Sequence, residues 1–297
     1  MKSTVFSLDR ESYLSRFVRM LTLRNLAEHT VKAYRAYLVP YLDYCEQIQI
    51  PPESMSWDNI REFLSRIQES RKIEDRTMNC VIAQLRAFHL YVLGRPWDKY
   101  QIPYRKYLRY LPYVPSQEEM ESFISSIRNP KFLAVCAVLY SSGIRAAELC
   151  HICTEHIDRD NLRLYIPPSK NRSDRYAILS KRSFEYLDSY WHSCRVKPQN
   201  GWLFSLDTDP SKPLYPGWIN KCIRNQETVL GLPHRMTAHS FRHALGTHLY
   251  ETGADLLDIK EILGHHSLSS TEIYIHTAHN RASRIHHPFD LRGKLHG

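Results

Sequence analysis

The sequence predicts a mainly α-helical protein, in which an all-helical N-terminal domain precedes a larger α+β domain with a small antiparallel sheet. Apolar residues follow helical spacing through the first third of the chain, without the alternation typical of strands. Two short β-like runs occur only after a proline-rich stretch near the middle. The length of 297 residues fits two domains at roughly 150 residues each.

The N-terminal domain is predicted over residues 1–95. A possible cap at Thr30 precedes the second helix, and Gly94 follows the last one. Apolar spacing predicts four helices, over residues 14–21, 31–45, 57–68 and 76–93.

Residues 96–115 are predicted to form an interdomain linker. This segment contains four prolines and a mixture of Lys, Arg and Tyr, which is typical of an extended connection. Its tyrosines and cations fit a segment that follows a phosphate backbone, and they fit equally an ordinary linker packed by its tyrosines. The sequence leaves both interpretations open.

The second domain is predicted over residues 116–297. It opens with a capping box, in which Glu119 follows Ser116 by three residues. Helices are expected over 132–140, at about 145–150 and from 181 onward. The β-like runs at 162–166 and 176–179 flank a polar segment, which predicts a β-hairpin.

Charge indicates the class of partner. The chain has 40 Lys and Arg against 31 Asp and Glu, a formal net charge of +9. Residues 1–112 hold 18 cations and 12 anions, and the rest hold 22 and 19, so the smaller domain is the more basic. This balance favours a polyanion, with nucleic acid ahead of an acidic membrane.

Other features exclude several classes of protein. No apolar run reaches the roughly 18 residues of a membrane span, and the N-terminus lacks a signal-peptide pattern, so we expect a cytoplasmic protein. Seven cysteines, an odd number, favour reduced thiols. Cys150 and Cys153 have C-x-x-C spacing, but no second pair follows, and we predict no metal there.

One set of residues points to chemistry on a phosphodiester. Each member alone has a commoner explanation as surface charge or core, but the set supplies a nucleophile, proton carriers and cations. A phenol with a pKa of about 10 is ionised only about once in a thousand at pH 7, a deficit of about 4 kcal/mol, which nearby cations reduce. Guanidinium groups match phosphate oxygens geometrically. In chain order, the set is Arg145, Glu148, Lys170, His239, Arg242, His265 and Tyr274.

In this order, with His239-Ser-Phe-Arg242 and Leu263-Gly264-His265 as local motifs, the set resembles the tyrosine recombinase (phage integrase) family, most closely its bacterial Xer-type members. The resemblance covers nearly the whole chain. It implies a DNA-clamping core-binding domain at 1–95, a catalytic domain at 116–297, and a C-terminal helix at about 280–297 that docks on a neighbouring protomer.

The resemblance implies a site-specific recombinase that cuts and rejoins double-stranded DNA through a 3′-phosphotyrosyl intermediate and a Holliday junction. Such an enzyme would act as a homotetramer on DNA, alone or with a second recombinase, at the nucleoid. It would serve resolution, or integration and excision of a mobile element. No metal or other cofactor is expected, because the phosphotyrosyl link conserves the bond energy.

The resemblance also assigns roles to residues. Tyr274 would be the nucleophile, Arg145 and Arg242 would clamp the phosphate, and Lys170 would protonate the leaving 5′-oxygen. Relatives often have Gly-Lys-Gly where this chain has Ser-Lys-Asn at 169–171. The remaining expected residues are His239 and His265 for proton movement, Glu148 as an orienting group, and Arg35, Lys106, Arg172 and Arg175 as DNA contacts.

Two competing residues and two competing functions are considered. His266 follows His265 directly, but the Leu-Gly-His register favours His265; Tyr250 precedes that motif and is interpreted as core. A type IB topoisomerase uses similar residues but relaxes DNA without specific sites. A non-catalytic, sequence-specific DNA-binding protein is the other alternative.

Overall fold

The computed structural model describes residues 8–108, 110–168 and 174–278. The chain divides into two compact units, Met1–Arg109 and Tyr110–Gly297. Within the described residues, no helix is both long enough and apolar enough to cross a bilayer. All seven cysteines are unpaired.

Residues 8–108 of the first unit form four α-helices around one apolar core. Phe17, Tyr41 and Phe88 are fully buried and meet edge to face, a favourable geometry for aromatic pairs. The fourth helix also supplies buried His89, whose Nε2 lies 3.0 Å from Tyr41 Oη. The helices are α1 (Arg10–Leu23), α2 (Glu28–Gln47), α3 (Trp57–Arg71) and α4 (Asp75–Tyr91).

The predicted cap at Thr30 is wrong. Helix α2 begins at Glu28, and its N-cap residue is Ala27, which makes no side-chain capping bond. Thr30 instead lies inside the first turn, because the helical backbone bonds already start at Ala27. One of the caps that sequence reasoning did not identify is Ser56, which forms a capping box with Asn59 at the start of α3.

The second unit is also mostly helical. The predicted capping box between Ser116 and Glu119 is present, with both reciprocal bonds made. Its helices are α5 (Gln117–Ser125), α6 (Pro130–Ser142), α7 (Ala146–Leu149), α8 (Lys181–Ser193), α9 (Pro216–Leu230), α10 (Ala238–Thr252), α11 (Leu256–Leu263) and α12 (Ile273–Thr277).

A small antiparallel sheet completes this unit. Strands β2 (Arg163–Ile166) and β3 (Arg175–Ile178) pair with Ile166 opposite Arg175, close to the two predicted runs. A third strand, β1 (Ile157–Asp158), pairs with β2; at two residues, it is too short to show any periodicity in the sequence.

Helix α6 lies at the centre of the second unit. It is apolar on nearly all sides, and it packs against α8 and α10. Its end is fixed by Gly143, which adopts a left-handed backbone with φ +60° and is the C-cap of the helix. Helix α11 ends in the same way at Gly264, with φ +63°. Both of these helix ends belong to the candidate site.

Candidate active site

Arg242 is a buried cation that joins two helix ends. Its side chain lies on α10 and is 1% exposed. Nη1 donates to the carbonyl oxygen of Gly143 and Nη2 to that of Leu263, both at 2.6 Å. The last carbonyls of a helix lack partners within it and carry partial negative charge, so a guanidinium is well stabilised there. Burial and the neighbouring charge of Arg145 lower the pKa of Arg242 to about 10, and it remains charged at neutral pH.

Arg145 is held by Glu148 across one turn. It is the N-cap of α7, where its backbone N–H donates to Glu148 Oε2 at 2.8 Å and Nη1 donates to Oε1 at 3.1 Å. Burial alone would raise the pKa of Glu148, but hydrogen bonds from Arg175 and from the Arg145 backbone, with both guanidinium charges, lower it to about 2. Glu148 is therefore an anion that accepts two hydrogen bonds from Arg145.

Tyr274 lies in a small apolar cluster with Ile259 and Leu263 and is 1% exposed. Its ring packs directly on Gly246 of α10, where a Cβ atom would come within 2.4 Å of Tyr274 Cζ. Burial raises the pKa of Tyr274 to about 12, although the charges of Arg242 and Arg145 oppose that rise. Both arginines therefore act electrostatically on this one phenol.

Two histidine rings contact the ring of Tyr274, and a third histidine contacts one of them. The His265 ring stacks on Tyr274 with centroids 6.1 Å apart, and its Nδ1 lies 2.9 Å from Thr271 Oγ1. His239, in the first turn of α10, contacts His243 edge to face with centroids 4.5 Å apart. The His243 centroid lies 6.1 Å from that of Tyr274, which places this ring between Tyr274 and His239.

All three imidazoles are neutral at physiological pH. Burial, followed by the charge of Arg242, lowers the pKa of His265 to about 3. The same two causes lower the pKa of His239. Burial and the neighbouring His239 lower the pKa of His243 to about 4. A neutral imidazole can accept a proton, so these rings can serve as bases beside the phenol.

Sequence reasoning did not single out His243 or Gly246. The signal was available, because positions 239, 243 and 246 follow helical spacing and share one face of α10. Tyr250, interpreted as core, is half-buried against the same small cluster. His266 is among the residues that line a nearby cavity.

The structure brings Arg145, Glu148, Arg242 and Tyr274 into one site, together with His239 and His265. The predicted Lys170 and Arg172 lie outside the described residues, as does the proposed exchanged helix at about 280–297. Arg35 on α2 and Lys106 are exposed in the first unit.

Arg175 is placed differently from the expected DNA contact. Its side chain is only 14% exposed, and its two terminal nitrogens both donate to Glu148. Each terminal nitrogen of Arg175 therefore already has one acceptor in Glu148, just as those of Arg242 have acceptors in the two helix-end carbonyls.

One group in the described part of the chain has donor atoms suited to a metal ion: Cys153, Glu155 and His156 have ligand atoms within 4.8 Å of one another. His156 Nδ1 already accepts the backbone N–H of Cys153 at 3.1 Å, so Nε2 is its available ring nitrogen. The three residues lie within one stretch of four positions, 153–156, and none of them belongs to the site around Tyr274.

Comparison with known proteins identifies the family. Residues 116–281 match the phage integrase family, and residues 13–99 match the N-terminal SAM-like domain of phage integrases. The chain belongs to the phage integrase family. It is a tyrosine recombinase of Xer type and an enzyme of DNA strand cleavage and religation, as its motifs predicted.

Individual relatives of this integrase cover nearly its full length. It is 25% identical over 301 residues to tyrosine recombinase XerC of Halalkalibacterium halodurans, spanning 95% of this chain and 99% of the relative. It is also 25% identical over 265 residues to a tyrosine recombinase of Pseudothermotoga lettingae, spanning 86% and 90%.

Solved structures share the fold. XerH recombinase in a post-cleavage complex with a palindromic difH substrate aligns with a TM-score of 0.72 at 20% identity, covering 95% of this chain and 89% of that one. An integrase of transposon Tn1549 bound to transposon-end DNA aligns with a TM-score of 0.70 at 18% identity, covering 95% and 98%. Neither a type IB topoisomerase nor a non-catalytic DNA-binding protein is favoured by these relatives.

Proposed function

We propose that this integrase cleaves DNA at a specific site with Tyr274 as its nucleophile. The observation that carries the proposal is the convergence of the charges of Arg145 and Arg242 and the rings of His243 and His265 on a single buried phenol. The same reaction is supported by the solved structures that share the fold, which include the XerH site-specific recombinase bound to its DNA substrate before and after cleavage.

The chemistry balances as a phosphoryl transfer. Tyr274 Oη attacks phosphorus, the bond from phosphorus to the 5′-oxygen breaks, and a 3′-phosphotyrosyl bond replaces it. Arg145 and Arg242 bind the non-bridging oxygens, whose negative charge grows in the transition state. Lys170 gives a proton to the leaving 5′-oxygen. Religation is the reverse reaction with a new 5′-hydroxyl.

The phenol must lose its proton during the attack. With a pKa of about 12, ionisation at pH 7 before the reaction would cost about 7 kcal/mol. Transfer of the proton to a neutral imidazole as the oxygen–phosphorus bond forms avoids that free phenolate. This transfer requires the bound phosphate anion to raise the imidazole pKa, which burial and the arginines hold low in the DNA-free protein. His265 stacks on the ring and His239 lies near both arginines, and we assign the proton movement to these two.

The chain is proposed to work as a homotetramer, alone or with a second recombinase, through a Holliday junction at the nucleoid. Residues 280–297 would dock on the neighbouring protomer. Residues 1–95 would clamp DNA together with the catalytic domain, with 96–115 as the linker. Deleting 281–297 should then leave DNA binding within about threefold and abolish strand exchange. Full recombination by the truncated protein would contradict the docking.

The reaction is tested with a nicked suicide substrate that carries a candidate site, on which cleavage traps a covalent protein–DNA adduct. Wild type should form the adduct, Tyr274→Phe should not, and Tyr250→Phe should match wild type as the control tyrosine. Sites can be taken from DNA flanking the encoding gene or selected from a random library.

Each other outcome contradicts the proposal in a distinct way. An adduct on any DNA would indicate a topoisomerase. Binding without an adduct would indicate a non-catalytic DNA-binding protein. An adduct that persists in Tyr274→Phe and disappears in Tyr250→Phe would move the nucleophile to Tyr250.

A further inference from the structure

Arg175 contacts two groups that hold the phosphate-binding arginines: the Glu148 carboxylate, which holds Arg145, and the end of α11, which holds Arg242. It is the first residue of β3. Its Nη1 donates to Glu148 Oε1 at 3.2 Å and its Nη2 to Oε2 at 2.9 Å. The same two oxygens receive Arg145, through Nη1 and the backbone N–H. Glu148 is therefore held between two guanidinium groups, and its position depends on both.

The other contact of Arg175 is with the end of α11. A Cβ atom on Gly264 would lie 2.6 Å from Arg175 Nε and 2.7 Å from its Cδ, which means that the arginine packs directly on the glycine backbone. The residue before Gly264 is Leu263, whose carbonyl oxygen accepts from Arg242. One side chain thus touches the carboxylate that fixes Arg145 and the helix end that fixes Arg242.

These contacts need the shape of an arginine. Two parallel bonds from one planar group set both the position and the rotation of a carboxylate, whereas an ammonium offers a point charge. Burial increases the effect, since Glu148 is 10% exposed and water competes little for it.

We propose that Arg175 is a positioning residue, which acts through Glu148 and Gly264 to align Arg145 and Arg242 on the scissile phosphate. The proposal rests on the function proposed above. It replaces the expectation that Arg175 binds DNA directly. A cavity of about 460 Å³ is lined by Arg175, Gly264 and His265, so direct contact with a DNA phosphate is the alternative that the experiment must separate.

The experiment measures single-turnover adduct formation at saturating suicide substrate and, separately, the Kd for the same DNA. Arg175→Gln should slow cleavage by about 10²-fold, the usual cost of disturbing one preorganised donor, and change Kd by less than threefold. Arg175→Lys should lose about tenfold. Arg163→Gln is the matched control. Arg163 lies on the same sheet and pairs with Asp158, but its side chain is 44% exposed. This variant should cleave at the wild-type rate.

Two further measurements distinguish a role of Arg175 in aligning Arg145 and Arg242 on the phosphate from a role as an ion pair that only stabilises the fold. With a neutral methylphosphonate at the scissile position, the charge that the arginines stabilise is removed, and the penalty of Arg175→Gln should shrink to less than threefold. Glu148→Gln combined with Arg175→Gln should cost less than the product of the two single penalties, because the two changes share the Glu148 contact; the further loss relative to Glu148→Gln alone reports the contact of Arg175 with Gly264.

Three outcomes would overturn the inference. A large rise in Kd with a normal rate at saturation would make Arg175 a DNA contact. An equal penalty on phosphate and methylphosphonate would disconnect it from the clamp. If Arg175→Gln does not fold, the Lys variant decides: a wild-type rate or an unchanged penalty on methylphosphonate refutes the proposal. Failure of wild type to form an adduct would instead contradict the proposed function.

Discussion

Replacing Gly246 with alanine tests whether the packed position of Tyr274 is its working position. The new Cβ would lie 2.4 Å from Tyr274 Cζ and 2.6 Å from both Cε atoms, whereas ordinary contact begins at 3.4 Å. The ring must therefore move by about 1 Å. Reacting atoms tolerate little displacement, and about 1 Å can cost roughly 10²-fold in rate.

The effect on stability should be much smaller than the effect on rate. Alanine in a helix interior is favoured over glycine by about 1 kcal/mol, and overpacking costs about 1–3 kcal/mol. The two partly cancel, so we expect Gly246→Ala to lose at most about 2 kcal/mol in free energy of unfolding. A folded enzyme with a displaced nucleophile is the expected product.

The assay is single-turnover adduct formation on the suicide substrate, with urea unfolding measured in parallel. We expect cleavage to fall by about 10²-fold at unchanged DNA affinity. The control is Gly217→Ala on α9, where the new Cβ would meet only the ring of Tyr215, at 3.0 Å; that ring is 53% exposed and can move aside. Cleavage by Gly246→Ala at the wild-type rate would refute this prediction, since it would show that Tyr274 does not react from the position in which it packs on α10.

Three other perturbations follow from the same contacts. Gly264→Ala forces a left-handed backbone on alanine and overlaps the guanidinium packed against it, so it should lower both the free energy of unfolding, by about 1–3 kcal/mol, and the cleavage rate. Burial lowers the pKa of His89 to about 4. Between about pH 6.5 and pH 4 the unfolded chain therefore binds a proton that the folded chain does not, and the free energy of unfolding falls as the pH is lowered. His89→Gln should reduce the loss between pH 7 and pH 5 by about 2 kcal/mol in urea unfolding. Arg35→Ala and Lys106→Ala should each weaken DNA binding and reduce the salt slope by about 1, with the rate at saturation unchanged.

Each of these predictions can fail separately. Unaltered cleavage by Gly264→Ala would show that the end of α11 does not position Arg242. An acid-induced loss of stability that is the same with and without His89 would place the titrating group elsewhere. An unchanged salt slope in Arg35→Ala or Lys106→Ala would remove that residue from the DNA contacts.

The sequence by itself determined the reaction and most of the architecture. Helical spacing and the short β-like runs predicted the elements, because local periodicity reports which face of an element is buried. The order of Arg145, His239, Arg242, His265 and Tyr274 identified the family, since each of these residue types is required by the chemistry of a phosphodiester.

Tertiary structure decided what holds those groups in place. Arg175 follows a polar hairpin and looks like a DNA contact in the sequence, but the pairing of β3 with β2 turns it onto Glu148. In the sequence, Gly246 is only an unfavourable residue inside a helix. In the structure, it leaves the space that the ring of Tyr274 occupies. Such contacts join positions far apart in the chain, 27 residues for Arg175 and Glu148 and 99 for Arg242 and Gly143, and no local pattern records them. Periodicity tells which side of a helix is buried, and only the packing of the other elements determines what that side meets.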